Sequence, residues 1–248
     1  MAAVSTVDPR AVAAVAAIHA GRVDDLRRLL AEYPDLAHAR FGDADSSGMS
    51  RTLLHVATDW PGHFPEVAAS ISALVEAGAD VNGRFEGPHG ETPLHWAASS
   101  NDLDALTALL DAGADIESDG GVIAGSTALA DATAFAQWDA ARLLISRGAH
   151  ARVFDLAALG VTEQVLEQLE GSDGPATDVL NRCFWSACHG GQLATAQALA
   201  ERGAHLDWLP PWEDATPLDI AAREGAHDVV RWLHSRGAHT CDKLKDFG

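Results

Sequence analysis

Apolar positions along this chain gather in short segments with helical spacing rather than in alternating, strand-like runs, and turn residues recur between the segments at fixed intervals. The clearest copy reads Glu91-Thr92-Pro93-Leu94-His95-Trp96-Ala97-Ala98, followed by Gly113-Ala114-Asp115, with an offset of 21 from Thr92 to Gly113. The same offset of 21 separates Thr127 from Gly148 and Thr216 from Gly237, and the last copy reads Thr216-Pro217-Leu218-Asp219-Ile220-Ala221-Ala222. Each letter has a mechanical reason. A threonine caps a first helix, proline suits its first turn, and leucine points inward. Gly113, Gly148, Gly203 and Gly237 stand just past second helices, where a left-handed end is needed. A block recurring at this period predicts an all-α solenoid of stacked helix-turn-helix units, whose surface is built from neighbouring repeats rather than around one deep pocket.

Further copies extend the pattern over nearly the whole chain. Arg51-Thr52-Leu53-Leu54-His55-Val56-Ala57 leads to Gly78-Ala79-Asp80, but its Thr-to-Gly offset is 26, five more than elsewhere, and the surplus falls on residues 59–65. Ala17, Gly21, Leu26, Leu29 and Leu30 keep the helix spacing, whereas Tyr33-Pro34-Asp35-Leu36 replaces the Gly-Ala-Asp ending, as expected of an N-terminal cap. Phe154 to Leu169 retains little beyond Leu-Ala-Ala-Leu-Gly, and Arg182 to Cys188 with Gly203-Ala204 restores the spacing without the letters.

On these residues the chain resembles the ankyrin repeat family, whose signature is Thr-Pro-Leu-His-x-Ala within about 33 residues. The resemblance implies a single domain over residues 1–248 with about seven units, two of them degenerate: a cap at 9–41, repeats at about 46–83, 84–118 and 119–152, a degenerate unit at 153–175, and repeats at 176–208 and 209–241. It also implies that His55 and His95 are structural turn histidines, and that the function is binding, most often of another protein.

Composition narrows the partners. Residues are 47% hydrophobic and only 6% aromatic, which suits closely packed Ala- and Leu-rich helices, and 22 glycines mark the turns. A net charge of -19, from 17 Lys and Arg against 36 Asp and Glu, disfavours nucleic acid and anionic membrane surfaces. No apolar stretch is long enough to span a bilayer, and the first residues lack the basic start of a secretory signal, so the expectation is a cytoplasmic protein. Cys183, Cys188 and Cys241 lack the spacing of a disulfide framework or a structural metal, and no cofactor or metal is expected. No phosphate-cradling glycine motif is present.

Aromatic residues single out a candidate surface. Of seven tryptophans, Trp138 and Trp232 fall on second-helix positions expected to be core. Trp60, Trp96, Trp208 and Trp212, with Phe85 and Phe135, fall in loops between repeats or at inner-helix positions that the resemblance places on the concave side. Aromatic groups there are the residue types that carry most interface energy, although each one taken singly also fits simple gap filling. Three glycine- or proline-rich fingers, residues 82–91, 118–126 and 208–214, lengthen the loops, and long loops usually carry specificity. The expected partner-binding set is Trp60, Arg84, Phe85, His89, Trp96, Phe135, His189, Trp208, Trp212, Arg223 and Glu224.

The competing reading is a small-molecule binder or enzyme. His89, Asp131 and His189 are its catalytic candidates: a His and a carboxylate brought onto adjacent repeats would serve as general acid and base, with Trp96 and Trp185 excluding water. No nucleophile elbow, His-Glu-x-x-His or paired-cysteine motif accompanies them. A metal held by His55, His63, His89 and His189 would need four separate loops to converge.

Overall fold

The computed structural model describes residues 4–42, 48–170 and 176–245. The unit edges expected at 46–47 and 171–175 therefore lie outside the described residues. Among the described residues the helices fall in seven successive pairs followed by one short helix, and they group into two compact units, residues 1–150 and 151–248.

In the first unit the pairs are α1 (Pro9–His19) with α2 (Val23–Glu32), α3 (Leu53–Ala57) with α4 (Val67–Glu76), α5 (Pro93–Ser99) with α6 (Leu103–Asp111), and α7 (Ala128–Ala134) with α8 (Trp138–Ser146). The second unit holds α9 (Val153–Ala158) with α10 (Thr162–Glu170), α11 (Thr177–His189) with α12 (Leu193–Glu201), α13 (Pro217–Arg223) with α14 (His227–Ser235), and the short α15 (Cys241–Lys245). First helices pack on first helices and second on second: α3 against α5 and α5 against α7, α4 against α6 and α6 against α8, and likewise α9, α11 and α13 beside α10, α12 and α14. Small alanines make this close approach possible, since Ala97, Ala98, Ala105, Ala132, Ala140 and Ala141 are fully buried. Among the described residues there are no strands, only isolated bridges such as Phe41 with Arg51 and Ser50 with Glu86. No described helix is long and apolar enough to cross a membrane.

The repeat letters act as the spacing predicted. Thr92 caps α5, and the backbone N–H of Thr92 donates to His95 Nδ1 at 3.2 Å. With Nδ1 accepting, the proton sits on Nε2, which donates to the Ser126 carbonyl of the next repeat at 3.1 Å. His55 repeats the arrangement, with Thr52 N on Nδ1 at 3.3 Å and Nε2 on the Glu91 carbonyl at 3.1 Å. Burial drives the His55 pKa down from 6.5 to about 4, so the neutral tautomer that this bridge needs is the form present at neutral pH. Past the second helices, Gly113 and Gly148 adopt φ of 89° and 101°, the left-handed ends anticipated.

The insertion at 59–65 packs onto neighbouring turns. The N–H of His63 donates to Asp102 Oδ2 at 2.6 Å, while Asp102 Oδ1 caps α6 through Ala105 N at 3.0 Å. The Phe64 ring stacks on His19 with centroids 4.3 Å apart.

Two expectations about the core need correction. Trp138 and Trp232 are half-buried rather than core residues. Leucine and alanine fill the positions between paired helices, leaving the indoles on the shoulders of α8 and α14, where Trp232 meets Phe184 edge-on at 6.2 Å.

Candidate functional site

In the first unit the finger at 82–91 is built around Arg84. Its guanidinium donates to the Gly90 carbonyl at 3.1 Å and to Asp119, through the carbonyl at 2.7 Å and Oδ1 at 2.6 Å. Arg84 thus ties its finger to the next one, at 118–126, with three guanidinium donors engaged within the protein. Phe85 folds back so that its half-buried ring lies 5.5 Å from Trp96, which in turn meets His55 edge-on at 4.9 Å. The absence of a side chain at Gly87 is what admits this turn, because a Cβ there would lie 2.1 Å from the Phe85 ring.

Trp96 and Trp60 then border a cavity of about 240 Å³, lined also by Thr58, Asp59, Glu91, Ser99 and Ser100. Trp60, at 82% exposure, forms the lip. Glu91 is buried at 9% exposure, and burial raises its pKa against the opposing influence of the Trp96 indole and His89. Asp59 is held by Arg51.

Asp131 lies fully buried in α7 with its oxygens facing the finger above: Val122 N donates to Oδ2 at 3.3 Å and Ile123 N to Oδ1 at 3.1 Å. Burial raises its pKa from 3.8 to about 6. His89 is exposed on the finger, close enough to favour the charged forms of Asp131 and Glu91, but no hydrogen bond joins it to either among the described residues. The carboxylate proposed for acid-base work is therefore a staple for its own loop. Phe135, 43% exposed, ends α7.

In the second unit an aromatic cluster surrounds α11. Trp185 is buried and its indole N–H donates to the Ala215 carbonyl at 2.9 Å, while its ring meets Trp212 edge-on at 6.1 Å and lies 5.3 Å from His189. Trp208 meets Trp212 edge-on at 5.8 Å. The Arg182 guanidinium sits 3.9 Å from the Phe154 ring centroid and 4.9 Å from that of Trp212, and burial lowers its pKa. Phe154, Arg182, Trp208 and Trp212, with Asp178, Val179 and Pro211, line a cavity of about 430 Å³. His189 is buried, which lowers its pKa, and the Glu224 carboxylate lies 3.7 Å from it. Arg223 pairs with Glu213 and, at 3.3 Å, with Glu224.

Among the described residues, no three His, Cys, Asp or Glu side chains converge as a metal site. His55 is used in its cap and the His63 ring contacts the Ser100 carbonyl at 3.1 Å.

Family comparison accounts for this framework. The model described as ankyrin repeats in three copies matches residues 69–155, and the single ankyrin repeat model matches residues 213–244. The chain is an ankyrin-repeat protein. Over 109 aligned residues it is 32% identical to the ankyrin repeat and KH domain-containing protein mask-1 of Caenorhabditis elegans, a match that takes in 38% of this chain and 4% of that protein. The chain therefore aligns with only a small part of that relative. The crystal structure of the human ASB11 ankyrin repeat domain has the same fold, with a TM-score of 0.52 at 20% identity, over 89% of this chain and 96% of that domain.

Ankyrin repeats are in general protein-interaction modules. Against the ankyrin pattern, the distinctive residues here are those the signature leaves free, the fingers and the ends of the first helices. Sequence reading named Trp60, Trp96, Trp208 and Trp212 among them and missed Glu91, Phe154 and Arg182. Glu91 precedes the capping threonine and reads as a solvated acid. Arg182 and Phe154 stand 28 positions apart in the two units with the weakest signature, so only a cation and an aromatic ring at matching repeat positions would have signalled their contact.

Proposed function

We propose that this chain is a protein-binding scaffold whose partner lies across the fingers and first helices of its ankyrin repeats. The observation carrying this reading is the exposure of large aromatic side chains within each unit: Trp60 at 82% and Phe135 at 43%, both just past first helices of the first unit, and Trp212 at 52% in a finger of the second. Exposed indoles are costly in water and are favoured anchors in interfaces. The surrounding groups support the same reading, because Arg84, Asp131, Trp185 and Glu213 hold the fingers in place before any partner arrives, which reduces the ordering cost of binding.

The test is affinity capture from the native lysate with wild type, Trp60→Ala and Trp212→Ala. A partner retained by wild type and lost from either variant at unchanged melting temperature supports the scaffold. Equal retention by all three contradicts it.

A second reading, small-molecule binding, is favoured by the cavity of about 430 Å³ in the second unit, where aromatic walls enclose the stacked Arg182. A thermal-shift panel of metabolites distinguishes it, since a stabilising compound there would lose its effect on Trp212→Ala.

A further inference from the structure

We propose that the cavity between Trp60 and Trp96 receives a cationic side chain of the partner protein, an arginine guanidinium or a lysine ammonium. The inference rests on the scaffold reading and names the chemistry one of its subsites would take. Three features of the cavity require the same occupant.

First, Trp60 and Trp96 are both among its lining residues. Indole faces are the strongest aromatic attractors of cations. Trp60 is freely exposed at the lip, so it is available to close over a side chain entering beside it.

Second, the cavity contains a carboxylate without a matching cation. Asp59 is neutralised by Arg51, but among the described residues no ion pair neutralises Glu91, which has the Trp96 indole and His89 within electrostatic reach. Burial holds the Glu91 carboxyl above its usual range, the response of an acid that lacks a full countercharge. A cation placed over it would supply the missing countercharge and gain a charge-assisted hydrogen bond.

Third, the Ser99 hydroxyl, also in the lining, is buried and makes no hydrogen bond among the described residues. Buried polar groups are ordinarily satisfied, and a ligand with several N–H donors supplies Glu91 with a partner and, once the Ser99 hydroxyl turns toward the cavity, Ser99 as well. A neutral apolar side chain would fill the cavity but leave both wanting. An anion would face Glu91 directly. The net charge of -19 points the same way, since it draws basic rather than acidic partners.

The proposal is tested on the full-length, ¹⁵N-labelled protein by following the indole N–H signals of Trp60 and Trp96. The probes are N-acetyl-arginine methylamide, its lysine counterpart, and the uncharged citrulline compound, which matches arginine in shape. Saturable shifts of both indoles with the arginine or lysine probe, and binding about tenfold or more weaker for citrulline, are expected. Stronger binding of arginine would identify a planar head and stronger binding of lysine a compact one, and either supports the proposal. Glu91→Gln should weaken binding by about tenfold while preserving the fold, because glutamine keeps the size of glutamate and still offers a hydrogen-bond acceptor. Equal binding of citrulline, or undiminished binding by Glu91→Gln, overturns the proposal, as does the absence of any saturable shift.

Partner capture separates this failure from failure of the scaffold. Capture lost on Trp60→Ala but untouched by Glu91→Gln leaves the aromatic surface in place and overturns the cation. Arginine binding accompanied by capture that is indifferent to Trp60→Ala overturns the assignment of the pocket to the partner.

Discussion

Replacing Asp131 with Asn should change the pH dependence of stability in a defined direction. Asp131 is fully buried, and its pKa rises from 3.8 to about 6, chiefly through burial, against the opposing hydrogen bonds from Ile123 and Val122. A carboxyl whose folded pKa lies above its unfolded value contributes stability that is fully present below pH 3.8 and is lost as pH rises through 6. Over the interval from about pH 7.5 down to about pH 4.5, the wild type should therefore gain about 2 kcal/mol relative to Asp131→Asn. The wild-type curve alone does not isolate this gain. His55 titrates in the opposite sense: its folded pKa of about 4 lies below 6.5, so its contribution is present above pH 6.5 and is lost as pH falls through 4. Both proteins carry His55, and subtracting one urea-unfolding free energy from the other at each pH removes it. A difference that stays constant with pH, or that shifts in favour of the variant on acidification, would refute the placement of Asp131 as a buried loop staple.

Other outcomes follow from close packing and burial. Gly190→Ala should cost about 3 kcal/mol in unfolding experiments, because its Cβ would stand 1.8 Å from the Ala158 carbonyl oxygen and the backbone must shift. Trp232→Ala should cost about 2 kcal/mol, less than a core tryptophan, because the ring is half-buried against Phe184. Trp212→Ala should cost at most about 1 kcal/mol, since its ring is 52% exposed, and thermal melts of both variants check the ranking. Cys183 and Cys188 should resist thiol reagents in the native state and react on unfolding, because both are buried, with burial raising Cys183 to about 12 and Cys188 further still.

The scaffold was legible because its letters answer to local physics. Thr92, Pro93, His95 and Gly113 specify a cap, a first turn, a bridge to the next repeat and a left-handed end, and each appears at the position its spacing required. The site was legible only in part. Trp60, Trp212 and Phe135 are exposed as their loop and helix-end positions suggested. Arg84 and Asp131 look from sequence like groups awaiting a ligand, yet one ties two fingers together and the other holds a loop amide pair. A polar residue in a finger can contact either a partner or the adjoining finger, and periodicity alone does not distinguish the two. Trp138 and Trp232 were misplaced for a related reason: helical spacing gives the face of a residue but not how far small alanine neighbours leave a large ring outside the packed layer.

Hydrogen exchange of the protein alone and with its captured partner tests the central claim most directly. The scaffold account predicts slowed exchange at the fingers, residues 82–91, 118–126 and 208–214, and at the ends of α5, α7 and α13, with α4, α6, α12 and α14 unchanged. Protection confined to those second helices, with the fingers exchanging as freely as before, would contradict it.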